Sequence, residues 1–145
     1  MSKSKPPITI TDTTAPFWEG VKHQRLMLQY DLQSQRYQFY PRPLSLFSEG
    51  PTEWREASGF GTLVAFTLTH FPAPGFDAEL PYLEGLIKLD EGPRIFSPLT
   101  GASLHELIVG QRMRIVYGVG GHVFQFQPNT DFIDSTISFT SKDFT

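Results

Sequence analysis

The sequence predicts a mainly β, single-domain fold, and three observations carry that prediction. Its 145 residues match the commonest size of one domain, long enough to bury a core without disulfides or a structural metal. Hydrophobic residues make up 39% and charged residues only 19%, the balance of a chain that folds and not of a disordered one. The 13 phenylalanines, 12 glycines and 12 prolines are spread without a period, which favours short strands joined by turns over long helices.

Taken in order, residues 1–15 mix Ser, Lys, Thr and Pro without apolar periodicity and read as a flexible arm. Residues 16–52 follow as a helix and a hairpin. Thr14 stands where it would cap a helix with Pro16 in its first turn; Phe17, Trp18, Val21 and Leu26 fall near one face, with Glu19, Lys22 and Arg25 off it. Stretches 26–31 and 36–40 are strand-like, residues 32–35 between them read as a hairpin turn, and Pro41 and Pro43 end the pair.

At residue 53 the texture changes to alternating β-branched and aromatic residues, and 53–128 reads as a second unit. Its strand-like stretches are 54–57 running on through 62–70, then 82–90, 94–99, 112–118 and 122–127. Gly59 and Gly61 sit where a long first strand would bend, Glu91-Gly92 is a tight-turn signal, and 103–108 opens on a capping serine, Ser103. Three strands, a short helix and two strands is the order of the five-stranded OB-fold barrel. Residues 129–145 are polar with scattered apolar residues, a tail or a segment that docks on a partner.

Zero cysteines exclude disulfides, a thiolate nucleophile and cysteine-ligated zinc. A net charge of −3 with pI near 5.7 gives no footprint for a nucleic-acid backbone, so no nucleic acid is expected as partner. The sequence holds no apolar run of roughly 20 residues and opens without a secretory signal, so neither a membrane nor export is expected and the location is read as cytoplasmic.

Four stretches together carry a resemblance: Phe17-Trp18-Glu19-Gly20, Tyr40-Pro41-Arg42-Pro43, Glu53-Trp54-Arg55-Glu56-Ala57-Ser58-Gly59-Phe60-Gly61-Thr62, and HFPAPGFDAELPY from His70 to Tyr82, extended by Leu89-Asp90-Glu91-Gly92 and Gly110-Gln111-Arg112-Met113. In this order they resemble the DUF35 family, acyl-CoA-associated OB-fold proteins with an N-terminal rubredoxin-like zinc ribbon. The resemblance implies a non-catalytic accessory subunit that completes a thiolase-like protein, such as a steroid or bile-acid side-chain aldolase or an acyltransferase, and lines the passage of its acyl-CoA. It also implies two CxxC pairs, for which this chain offers Tyr30 and Gln33 and, further on, Ser45 and Ser48. None of these replaces a thiolate, so no zinc is expected and the hairpin is expected to be held by packing of Leu28, Tyr37, Phe39 and Phe47.

No residue is assigned a catalytic role. His70, with Asp77 or Glu79, is a candidate acid-base group, but a strand-end histidine bonding a turn explains it more simply. His23, His105 and His122 lack metal-ligand spacing, so no metal is expected. The ten residues 71–80 form a long Pro- and Gly-rich connection, and with it His70, Phe71, Pro74 and Phe76 are candidate contacts to acyl-CoA or the partner. Arg42, Arg55 and Arg94 are candidates for the phosphates of CoA; Arg112 and Arg114 alternate with apolar residues and read as a solvated strand face. Phe17, Trp18, Phe132 and Phe139 are candidate interface anchors, set against plain intramolecular packing. The open edges of an OB-fold make a homodimer within a larger complex the expected assembly. The competing readings are a single-strand nucleic-acid-binding OB module and an independent acyl-CoA hydratase or thioesterase.

Overall fold

The computed structural model describes residues 10–69, 82–118 and 123–129. A helix, α1 (Ala15–Lys22), opens them, followed by β1 (Met27–Asp31), β2 (Arg36–Gln38), β3 (Thr52–Glu56), β4 (Phe60–Thr69), β5 (Tyr82–Leu89), β6 (Arg94–Pro98), a 3-10 turn (Leu104–Glu106), β7 (Arg112–Tyr117) and β8 (Phe124–Pro128).

The helix starts where Pro16 fixes its backbone and buries Phe17, Gly20 and Val21. Gly20 is needed for close approach: a Cβ there would stand 2.4 Å from Met27 Cγ and 2.8 Å from the Arg25 carbonyl. The chain then turns directly into β1, the centre of a small antiparallel sheet ordered β2-β1-β3.

Strand β3 corrects one expectation. The stretch 54–57 does not run on into the barrel; β3 pairs with β1 over five residues, from Met27 opposite Glu56 to Asp31 opposite Thr52. The break falls at Ala57–Gly59, where the Ala57 N–H donates to the Leu26 carbonyl at 2.7 Å and the Ile115 N–H to Gly59 at 2.9 Å. Gly59 has φ +83°, and a Cβ there would lie 2.8 Å from Ile115 Cγ2, so both backbone and space demand glycine.

The second sheet is ordered β6-β5-β4-β7-β8 with every neighbour antiparallel. Three strands, a short turn of helix opened by Ser103, and two strands give the OB-fold, as the sequence predicts. The Glu106 carboxylate accepts the Ser103 N–H at 2.8 Å, half of the reciprocal cap that sets this turn. The barrel is open: its ends meet through one parallel bridge, Leu99 to Phe126, with the Thr100 N–H donating to the Phe126 carbonyl at 3.0 Å.

Inward residues of both sheets and the helix join in one cluster, with Phe17, Val21, Leu26 and Leu28 on one side and Leu63, Ile87, Leu89, Ile95, Met113 and Phe126 on the other. Phe17 sits at the junction, its ring centroid 4.8 Å from Trp18, 5.4 Å from Phe39 and 6.2 Å from Phe124 of β8. Among the described residues no helix is long and apolar enough to cross a membrane.

Candidate functional site

The small sheet closes by polar chemistry in addition to the expected packing, in which Leu28 is buried and Tyr37 and Phe39 pack against the core. Asp31 is 1% exposed. Its Oδ2 accepts from Ser45 Oγ at 2.7 Å and Ser34 Oγ at 2.8 Å, and its Oδ1 from the Gln33 N–H at 2.9 Å. Ser45 Oγ in turn accepts from the N–H groups of Phe47 and Ser48 at 3.0 and 3.2 Å. Hydrogen bonds from Ser45 first, then Ser48, hold the Asp31 carboxyl well below the usual carboxylate range despite its burial. Two turns of identical spacing, Asp31-x-x-Ser34 and Ser45-x-x-Ser48, therefore meet at one point.

Of the four positions that the resemblance offers for a metal, Ser45 and Ser48 take part in this network. One carboxylate and the two hydroxyls bonded to it do not suit tetrahedral zinc, which takes thiolates and imidazoles, so no step is assigned to a metal. Among the described residues no group of three or more His, Cys, Asp or Glu is placed to hold a metal ion.

Two buried glutamines complete the closure. Gln29 Oε1 accepts the Arg42 N–H and its Nε2 donates to the Arg42 carbonyl, both at 2.8 Å, so one amide side chain mimics a strand neighbour. Gln38 does likewise, accepting the Leu46 N–H at 2.7 Å and donating to the Leu44 carbonyl at 3.3 Å and to Gln29 Oε1 at 2.7 Å. Packing contributes at the rim: Tyr30 and Tyr37 pack edge to face at 4.7 Å, and the Arg36 guanidinium lies 3.8 Å from the centre of the Phe47 ring.

The three candidate arginines do not converge. Arg42 is exposed and lines a cleft of about 340 Å³ with Gln29, Thr52, Trp54 and Asp12. Arg55, next to Trp54, points to the opposite face of β3, where its Nε donates to Glu53 at 2.7 Å and its guanidinium lies 3.7 Å from the centre of the Tyr30 ring. The Glu53 hydrogen bond raises its pKa, and the group is committed within the fold. Arg94 stands exposed at the start of β6, on the other sheet.

Phe17 is fully buried and is an intramolecular anchor, not a partner contact; Trp18 is half-buried against it. His70, Phe71, Pro74, Phe76, Phe132 and Phe139 lie outside the described residues, as does His122. His23 is an exposed helix-end residue whose Nδ1 is 2.9 Å from the Glu19 carbonyl, and His105 is exposed on the 3-10 turn.

The remaining perturbed groups serve structure. Arg112 forms a bidentate pair with Asp90 at 2.8 and 2.7 Å, which lowers the Asp90 pKa. With its amide turned to satisfy both ends, Gln127 accepts from Arg114 at 2.7 and 3.2 Å. Burial, reinforced by the Glu56 carboxylate, pushes the Tyr117 phenol up to about 12.

An open OB-fold preceded by a helix and a small three-stranded sheet is the architecture that the resemblance to DUF35 proteins implies. The chain is a DUF35 OB-fold protein: residues 54–118 match the family described as the C-terminal OB-fold domain of ChsH2, and DUF35 proteins occur among both its sequence relatives and its structural neighbours. It is 32% identical over 106 residues to the 3-oxo-4,17-pregnadiene-20-carboxyl-CoA hydratase alpha subunit of Mycobacterium tuberculosis, covering 72% of this chain and 33% of that protein. It is also 32% identical over 59 residues to a DUF35 domain-containing scaffold protein of Pyrococcus furiosus, covering 41% of this chain and 43% of that protein. The chain thus spans only about a third to two-fifths of the length of these relatives. Among solved structures, one described as the Ltp2-ChsH2(DUF35) aldolase matches with TM-score 0.73 at 24% identity, covering 84% of this chain and 98% of that one. A DUF35 protein from Sulfolobus solfataricus matches with TM-score 0.59 at 12% identity, over 81% of this chain and 86% of that one. At these identities the structural likeness speaks for the fold.

Proposed function

We propose that the chain is a non-catalytic accessory subunit of an acyl-CoA enzyme, binding a thiolase-fold partner and lining the route by which the acyl-CoA reaches it. The observation that supports this most is where the sequence likeness falls. It covers 72% of this chain but a third of a protein described as the alpha subunit of a CoA-ester hydratase, and the matched family is that of an OB-fold domain. The word scaffold in the name of the Pyrococcus relative points the same way. The perturbed ionisable groups also fit a binding role, since Asp31, Asp90, Arg112 and Glu106 are each spent on holding a turn or a strand pair. In this reading the chain acts in the cytoplasm, works without zinc and assembles as a homodimer within the larger complex.

Affinity purification of the tagged chain from its native host, with mass spectrometry and an acyl-CoA cleavage assay on the eluate, tests the reading. A stoichiometric thiolase-fold partner with cleavage activity is the expected result; recovery of the chain alone, inactive, overturns it. The two relatives described as hydratase alpha subunits favour a second reading in which the partner is a hydratase subunit. Assaying the same eluate for hydration of an unsaturated acyl-CoA separates the two.

A further inference from the structure

The outward face of the large sheet holds an arrangement that the fold does not need. Arg94 of β6 is paired directly with Lys88 of β5, and both are exposed. Like charges directly opposite each other on a sheet destabilise it. Among the described residues neither Lys88 nor Arg94 has an ion-pair partner, whereas Arg112, two strands further along the same row through Thr62, is neutralised by Asp90. One row on, Phe96 is paired with Leu86 and is 56% exposed, large for a ring in mid-strand. Ile95 and Ser97 of β6 and Ile87 and Leu89 of β5 are buried, so the cations and the ring share the solvent face. These are the second and third strands of the OB-fold, whose face is a general platform for ligands that combine charge with flat rings.

We propose that the outward face of β5 and β6 binds a small phosphorylated nucleotide, with Lys88 and Arg94 on its phosphate and Phe96 stacked against its base. Directly opposed residues set their Cβ atoms about 5 Å apart, so both side chains rise from neighbouring points of the sheet and can reach one phosphate group. The positive stretch is short. Asp90 cancels Arg112 at one end, and Glu84 stands two rows from Lys88, about 13 Å along the strand. That suits one or two phosphates and not a polymer backbone, which needs a continued basic track and a chain more positive than −3. The proposal rests on the reading above in one respect: the nucleotide a CoA enzyme offers is the phosphoadenosine end of its thioester.

The test uses the full chain, isotopically labelled and in whichever complex it purifies, titrated with adenosine 3′,5′-bisphosphate and followed by amide chemical shifts. Saturable shifts centred on Lys88, Arg94 and Phe96 are expected, with inorganic phosphate binding more weakly. Lys88→Gln and Arg94→Gln should each weaken binding about tenfold and Phe96→Ser about fivefold. All three positions are exposed, so spectra otherwise unchanged certify the fold. Shifts elsewhere, variants that bind like the parent, or a decathymidylate that binds more tightly with a steeper salt dependence would each overturn the assignment. Co-purification of the enzyme partner with the Lys88→Gln/Arg94→Gln variant is read separately. A chain that keeps its partner but never binds the nucleotide defeats this inference and leaves the accessory role standing.

Discussion

The two sheets of this molecule are closed in opposite ways. The large one wraps Leu63, Ile87, Leu89, Ile95, Met113 and Phe126 into an apolar interior, while the small one buries Gln29, Asp31, Gln38 and Ser45. The contrast follows from size. Five strands enclose enough apolar surface to hold themselves at about 25 cal/mol per Å², whereas three short strands and a loop do not, and a module that small needs a crosslink. Here a hydrogen-bonded carboxylate and two amides supply it. The difference in kind makes the sheets respond differently to perturbation, since hydrogen bonds are directional and depend on protonation while apolar packing depends on volume.

The sharpest way to break the contrast is at the junction where the two interiors meet. Phe17→Ala removes the ring that touches helix, ribbon and β8, and a loss of about 3–5 kcal/mol in urea denaturation is expected. A loss below about 1 kcal/mol would mean that the sheets are stabilised independently. Within the ribbon, Ser45→Ala strips Asp31 of one donor and leaves the Phe47 and Ser48 amides without their acceptor; about 1–3 kcal/mol is expected by the same measurement.

Acid separates the sheets by chemistry. Because the folded-state pKa of Asp31 lies below its unfolded value, its contribution is complete above about pH 4 and is lost as pH falls towards the folded value. Stability measured from pH 5 down to pH 2 should therefore fall less steeply in Asp31→Asn than in the parent, and parallel curves would show that the carboxylate is not the ribbon's clasp. The smallest effect belongs to the exterior. Arg25→Ala breaks a 3.0 Å pair with Glu56 whose side chains are 55% and 49% exposed, and a change under about 1 kcal/mol, shrinking further in salt, is expected.

The same contrast explains what the sequence discloses. The OB-fold strands are legible because their apolar residues alternate in step with the pleat, as Ile87 and Leu89 do on β5 and Ile95 does before exposed Phe96 on β6. The ribbon hides its interior, because Gln29 and Gln38 carry no hydrophobic signal and both neighbours Leu28 and Gln29 of β1 are buried. The turn that the resemblance offers for the first CxxC pair, Tyr30 and Gln33, brackets Asp31, and it is the Asp31 carboxylate that the structure buries there. The matching x-x spacing of Asp31-Ser34 and Ser45-Ser48 was the available signal. The alternation of Trp54, Arg55 and Glu56 marks β3 as a strand but says nothing about which sheet receives it, since pairing is a long-range property. The Arg94–Lys88 pair is equally invisible until the register sets the two side by side.

One consequence of the glutamine clasps reaches beyond stability. Gln29 and Gln38 grip the main chain of Arg42, Leu44 and Leu46 and none of their side chains, and Leu44 and Leu46 are left 53% and 58% exposed. The loop is thus a rigid display whose lettering is independent of its frame. Evolution, or an engineer, can rewrite positions 42, 44 and 46 to suit a different neighbour without reopening the question of how the ribbon folds.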